Sequence, residues 1–164
     1  MDETFEAAAG LVAVDTKMMG RYRMTSAYLV RADEPALIET GPTTSADAVT
    51  AGLESLGLSA GDLAHIVVTH IHLDHAGGAG TIADRFPSAT VWVHERGARH
   101  LADPSRLWSS AAQVYGGEHR LVEMFGPMQP IDSGRIRAVA EGDRIELGTV
   151  RWTSCTRRAT PRTT

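Results

Sequence analysis

The run His70-Ile71-His72-Leu73-Asp74-His75 constrains this 164-residue chain more than any other stretch. It follows the apolar run Ile66-Val67-Val68 and precedes Gly77-Gly78, so it falls where a buried strand gives way to a helix. Four potential metal ligands stand within six positions. In an extended segment the side chains at i and i+2 point the same way, so His70 and His72 can close on one ion. Asp74 and His75 lie at the turn into the next element, where the chain can carry them round to an adjacent position. Imidazole suits zinc, iron and manganese, and a carboxylate suits the harder members of that set, so the cluster can hold one or two divalent ions.

His70, His72, Asp74 and His75 match the His-x-His-x-Asp-His signature of the metallo-β-lactamase superfamily, and the flanking "LAHIVVTH" and "AGGAG" also resemble its hydrolase members. The resemblance runs from about residue 10 to about residue 152. It implies an α/β chain forming the N-terminal half and central part of an αββα sandwich. It also implies a metal-dependent hydrolase that activates a metal-bound water to cleave an ester, thioester or lactone in a small-molecule substrate. The implied cofactor is zinc, one or two ions, with iron or manganese as the other metals. Its ligands would be His70, His72, Asp74 and His75, with Asp74 also the catalytic residue that orients the attacking hydroxide. Glu39 stands where relatives often carry the aspartate of Asp-Thr-Gly, which supports the ligands from behind; here the side chain is one methylene longer. Because the superfamily spans thioesterases, lactonases, β-lactamases, nucleases and sulfur dioxygenases, the fold does not select the reaction. An iron-dependent sulfur dioxygenase is one alternative, and a catalytically inactive fragment with weak metal binding is another.

Composition narrows the partners. Sixteen Lys and Arg against 20 Asp and Glu leave a net charge of −4, without the basic excess that nucleic acid or an anionic membrane surface demands. Met1-Asp2-Glu3-Thr4-Phe5-Glu6 is acidic where a signal peptide would be basic, and no apolar run approaches membrane-spanning length. The expected location is the cytoplasm. Cys155 is alone, so no disulfide can form within the chain.

Along the chain, apolar runs at 11–14, 27–30 and 36–38 read as strands, the last two joined through Asp33-Glu34-Pro35 as a hairpin. Gly20-Arg21-Tyr22-Arg23 reads as a solvated loop. Ala46, Val49, Leu53 and Leu56 recur at helical spacing over 43–56, with Thr44 or Ser45 as cap and Gly57 past the end. Ser59 and Asp62 suit a capping box for a short turn. The strand at 65–69 delivers the ligands, and the next segment to Phe86 continues as a helix whose glycines let the backbone pass close to the metals. A strand at 90–93 and a helix at 95–101 follow, with His94 and His100 read as ordinary residues. Helices at 104–115 and 118–125, with Trp108, Val114, Tyr115, Leu121, Met124 and Phe125 on their apolar faces, resemble an insertion that covers the active site. Strands at 136–139, 144–147 and 150–152 complete the pattern.

Beyond this point the chain departs from the family. Relatives continue with a Thr-Pro-Gly-His type segment supplying a third histidine, then a bridging aspartate and a final histidine. This chain instead ends Thr153-Ser154-Cys155-Thr156-Arg157-Arg158-Ala159-Thr160-Pro161-Arg162-Thr163-Thr164, with no acid and no apolar period. Reading one base out of frame from within codon 152, one permitted choice of synonymous codons gives Asp-Val-Leu-His-Thr-Pro-Gly-His-Ala-Pro-His-His, the missing family segment in order. The expectation is therefore an incomplete domain over 1–152, a non-native-looking disordered tail over 153–164, and a single-base frameshift near Trp152.

Overall fold

The computed structural model describes residues 3–148 and 150–153, with Trp152 described through its backbone alone. Seven strands form one mixed sheet in sequence order: β1 (Thr4–Ala8), β2 (Leu11–Asp15), β3 (Ser26–Val30), β4 (Ala36–Ile38), β5 (His65–Val68), β6 (Thr90–His94) and β7 (Ile136–Val139). β1 to β4 pair antiparallel, and β4 to β7 pair parallel. The helices α1 (Ala46–Ser55), α2 (Leu73–Ala76), α3 (Ala79–Arg85), α4 (Glu95–Ala102), α5 (Ser105–Tyr115) and α6 (Glu118–Phe125) lie in the crossovers between the parallel strands. This arrangement brings the carboxyl ends of β4 and β5 side by side, where open α/β sheets place their ligands.

The two faces of the sheet bury different partners. Val12, Val14, Leu29, Leu37, Ile66, Val68, Val91 and Val93 share a core with Val49, Leu53, Ile82, Phe86, Leu101, Leu121 and Phe125 from the helical side. Alternate residues Val30, Ala36, Ile38, Val67 and Val139 face the other way, onto Ile145 and Leu147. Those two come from β8 (Arg144–Leu147), which pairs antiparallel with β9 (Val150–Thr153) as a separate hairpin. Burial on both faces explains why β4 and β5 read as continuous apolar runs rather than alternating ones.

The expected α/β architecture, the 27–38 hairpin and the strands at 65, 90, 136, 144 and 150 are all present. β1 is an addition to the sequence reading, because Thr4-Phe5-Glu6-Ala7-Ala8 carries Glu and Ala, which favour no strand. The helix after Gly41 begins as a 3-10 turn, Thr43–Ser45, and no side chain caps α1. Of the two hydroxyls expected to cap it, Thr44 Oγ1 reaches the Met124 carbonyl at 3.4 Å and Ser45 Oγ is buried without a hydrogen-bond partner among the described residues. The helix expected to run on to Phe86 is broken at Gly77-Gly78 into α2 and α3. Val114 and Tyr115, assigned to a buried face, are 81% and 39% exposed, whereas Leu121 and Phe125 are buried as expected. Among the described residues no helix is long and apolar enough to cross a membrane. The expected tail falls at 154–164 outside the described residues, apart from Thr153, which ends β9.

Candidate metal centre

The site begins at the end of β4. Glu39 extends the ladder by donating its N–H to the Val67 carbonyl at 2.9 Å, yet its φ is 63°, a left-handed conformation uncommon for a residue with a side chain. Its carboxylate is buried with the rest of the residue. Oε1 accepts the backbone N–H of Thr69 at 2.9 Å, joining β4 to the residue that follows β5. Oε2 lies 3.2 Å from His75 Nδ1, but the angles are not those of a hydrogen bond, and Oε2 has no hydrogen-bond partner among the described residues. A buried carboxylate oxygen left in that condition is costly unless something else neutralises it.

The following residues hold the histidine turn in place. Thr40 donates both its backbone N–H and its hydroxyl to the His75 carbonyl, each at 2.9 Å, and Gly78 N–H donates to the Gly41 carbonyl at 2.9 Å. A Cβ on Gly78 would meet the carbonyl oxygens of Pro42, Gly41 and Thr40 at 3.1, 3.2 and 3.3 Å. Gly78 therefore admits the 40–42 backbone.

Within the turn, His70 Nδ1 is 2.9 Å from the Thr69 hydroxyl, which leaves Nε2 as the ligand atom. The His70 ring lies 4.7 Å from that of His72 and 4.3 Å from that of His75, centroid to centroid. His75 Nε2 is 3.4 Å from Asp74 Oδ2. One ligand atom each from Glu39, His70 and His75 lies within 4.8 Å of the other two. Of the four signature residues, His70 and His75 fall in this group with Glu39, and His72 and Asp74 are not part of it. The sequence signal for Glu39 was its place before Thr40-Gly41 at a strand end, which suggested a supporting role and said nothing of ligand distance.

Burial lowers the pKa of His70, the neighbouring His75 lowers it further, and Glu39 opposes both. The neutral imidazole that results is the form that ligates a metal. Two imidazoles and a carboxylate whose buried oxygen wants a positive partner fit a divalent ion in their chemistry.

The remaining histidines stay apart from the group. His65 accepts from Trp92 Nε1 at 2.9 Å and contacts Glu34 at 3.1 Å. His94 caps α4 by accepting the Arg96 N–H at 3.3 Å, and His100 contacts Arg99 Nε at 3.2 Å. The helical insertion carries an open cavity of about 330 Å³ lined by Trp108, Glu118, Val122, Met128 and neighbouring prolines, and none of the signature residues lines it.

Comparison with known proteins agrees with this geometry. The family model described as the metallo-beta-lactamase superfamily matches residues 20–154. A subclass B3 metallo-beta-lactamase isolated from a soil metagenome library is 27% identical, with a TM-score of 0.72, over 94% of this chain and 52% of its own. The Cronobacter sakazakii metallo-beta-lactamase with a HARLDQ motif (22% identity, TM-score 0.71) covers 94% of this chain and 52% of its own. A subclass B3 enzyme of Bradyrhizobium japonicum (24%, 0.68) covers 94% and 51%. These last two likenesses speak for the fold alone. The chain spans about half the length of the solved structures it matches. No curated protein matches the chain. A strand that leads into a histidine-rich turn, within a family-model match over residues 20–154, makes this chain a member of the metallo-beta-lactamase superfamily.

Proposed function

We propose that the chain is the signature-bearing part of a metal-dependent hydrolase acting on an ester, thioester or lactone of a small molecule. The observation that carries this reading is the convergence of Glu39, His70 and His75 just past the ends of β4 and β5, with a buried Glu39 oxygen that lacks a hydrogen-bond partner among the described residues. His70, His72, Asp74 and His75 are the residues proposed to hold one or two ions, zinc first, with iron or manganese as the other metals. A bound divalent ion supplies Lewis acidity, which brings a water toward deprotonation at neutral pH and polarises the scissile carbonyl. Asp74 accepts a hydrogen bond from the attacking water and aims it. Thr40 holds His75 in place from behind, through its carbonyl. A cytoplasmic location stays part of the reading, with one cysteine in the chain and so no disulfide within it.

A second reading is supported by the length of the match, about half of each solved relative. In it the chain as given binds a metal weakly and has no hydrolase turnover of its own. One experiment separates the two. The full chain is loaded with zinc, manganese or iron(II) and assayed on aryl esters, acyl thioesters, lactones and, with dioxygen, a persulfide, with bound metal measured in parallel. Metal-dependent turnover that disappears in Asp74→Asn supports the hydrolase. Metal uptake without turnover on any substrate leaves the second reading, and retention of iron alone with sulfite production from a persulfide identifies a sulfur dioxygenase.

A further inference from the structure

The cavity on the helical insertion lies apart from the histidine turn. Trp108, Val122, Met128 and three prolines line it, and its two charged members are Asp103 and Glu118. We propose that this cavity is a second binding site, for a small organic ammonium ion that carries an apolar body. The site does not depend on the hydrolase reading, because none of the signature residues lines it.

Three observations carry it. First, the walls are fixed in advance. α5 and α6 turn back on each other through Gly116 and Gly117, at φ of 83° and 119°, and Trp108 Nε1 donates across the turn to Glu118 Oε1 at 3.0 Å. The one polar atom of the indole is thereby satisfied, so what Trp108 offers a ligand is its carbon surface. The wall at 127–130 is held where Ile131 donates its N–H to the Leu101 carbonyl at 2.9 Å and where Gly80 packs against the Gln129 backbone. Second, the charge has one sign. No Lys, Arg or His lines the cavity among the described residues, and neither Asp103 nor Glu118 forms an ion pair there. Asp103 Oδ1 accepts the Ser105 N–H at 3.1 Å, and hydrogen bonds from the Ser105 side chain and backbone hold its carboxyl below the usual carboxylate range, which keeps it negative at neutral pH. Third, prolines bring no N–H donor, so Pro104, Pro127 and Pro130 give an anion nothing to bind. A volume of about 330 Å³ suits a small molecule. An ammonium ion gains from both carboxylates and from the indole ring, while its apolar body covers Val122 and Met128. The cavity is open to solvent, so salt screens each charge and keeps its share of the binding modest.

The probe is phenethylammonium, with 2-phenylethanol as its neutral counterpart and phenylacetate as its anionic one. The full chain is titrated with each in low-salt buffer at neutral pH. The readout is the indole N–H resonance of Trp108, identified as the one lost in Trp108→Phe. Phenethylammonium is expected to shift that resonance saturably and to bind about tenfold more tightly than 2-phenylethanol, the scale of a cation–π contact with charge support, with phenylacetate weaker still. Asp103→Asn and Glu118→Gln keep an oxygen to accept the Ser105 N–H and the Trp108 Nε1–H, so each removes charge without removing the hydrogen bond. Each should weaken phenethylammonium by about threefold and the double variant by about tenfold, as for partly exposed charge contacts. Binding of 2-phenylethanol as tight as that of phenethylammonium overturns the proposal. So does a Trp108 resonance that phenethylammonium does not move, or a double variant that binds it with the parent's affinity. Should the double variant not fold by circular dichroism, the three probes on the parent chain decide alone. Any of these failures leaves the metal hydrolase reading standing, since no residue of the histidine turn takes part.

Discussion

Glu39 Oε1 accepts the Thr69 N–H at 2.9 Å, so a side chain at the end of β4 closes the gap in backbone hydrogen bonding just past β5. The bond sets the start of the histidine turn, since Thr69 immediately precedes His70 and contacts its Nδ1 through the hydroxyl. Truncating Glu39 to Ala removes the acceptor while keeping the unfavourable backbone, because Ala tolerates a φ of 63° no better. Glu39→Ala is expected to lower the stability of the metal-free chain by about 1–3 kcal/mol, and Glu39→Gln by less. Urea unfolding followed by circular dichroism compares them; equal midpoints for Glu39→Ala and the parent chain would mean that the bond does not order the turn.

Gly80 marks where α3 meets the segment leading to β7. A Cβ there would stand 2.3 Å from the Gln129 carbonyl oxygen and 2.9 Å from its carbon, both backbone atoms that cannot rotate away. Gly80→Ala should therefore destabilise by about 1–3 kcal/mol despite alanine's better helix propensity. Gly61, with nothing within 4 Å of a built Cβ, is the matched control, and Gly61→Ala is expected to be near neutral. Thermal melts of the two variants test the contrast, and the argument fails if Gly80→Ala melts with the parent.

How much of this was legible in the sequence differs by element. The crossover strands were visible because burial on both faces demands unbroken apolar runs, and Ile66-Val67-Val68 has no other use. β1 was not, because an edge strand with an exposed face needs no apolar alternation and shows none. Thr44 and Ser45 carried the right chemistry for a cap, but a tertiary acceptor on Met124 took the Thr44 hydroxyl, and no local pattern announces a partner 80 positions away. At the site, the spacing of His70, His72, Asp74 and His75 announced metal chemistry outright. The place of Glu39 among the ligand atoms depends on the parallel pairing of β4 with β5 and on one left-handed residue, neither of which a sequence period encodes.

Arg135 joins β7 to the α3–β6 connection. Its Nη2 donates to the Phe86 carbonyl at 2.9 Å and to the Ala89 carbonyl at 2.8 Å. Lysine carries the charge, but its ammonium ends one bond short of the Nη2 that supplies both hydrogen bonds. Arg135→Lys is expected to cost about 1–2 kcal/mol, and Arg135→Ala more, since hydrogen bonds from a charged donor are worth about 1.5–3 kcal/mol each. Hydrogen exchange should show the loss at the start of β6, and unchanged exchange there would show that the guanidinium does not hold the connection.

The titration of His70 gives the metal-free chain a pH dependence with a definite sign. Burial, reinforced by His75, lowers its pKa in the folded chain below the ordinary imidazole value of 6.5. Above that value both folded and unfolded chains carry His70 neutral, and no proton is linked to folding. As pH falls through about 6.5 the unfolded chain takes up a proton that the folded chain resists, so stability falls from there down to the lowered folded value, and below it the loss is complete. His70→Gln removes this linkage while leaving every carboxylate in place, so acid effects from those groups are common to both chains. Between about pH 7.5 and about pH 5.5, a range in which histidine is the side chain that changes charge, the melting temperature of the metal-free parent is expected to fall more than that of His70→Gln. Parallel declines would show that His70 is as easily protonated in the fold as out of it, and that the turn does not hold its imidazole ready for a metal.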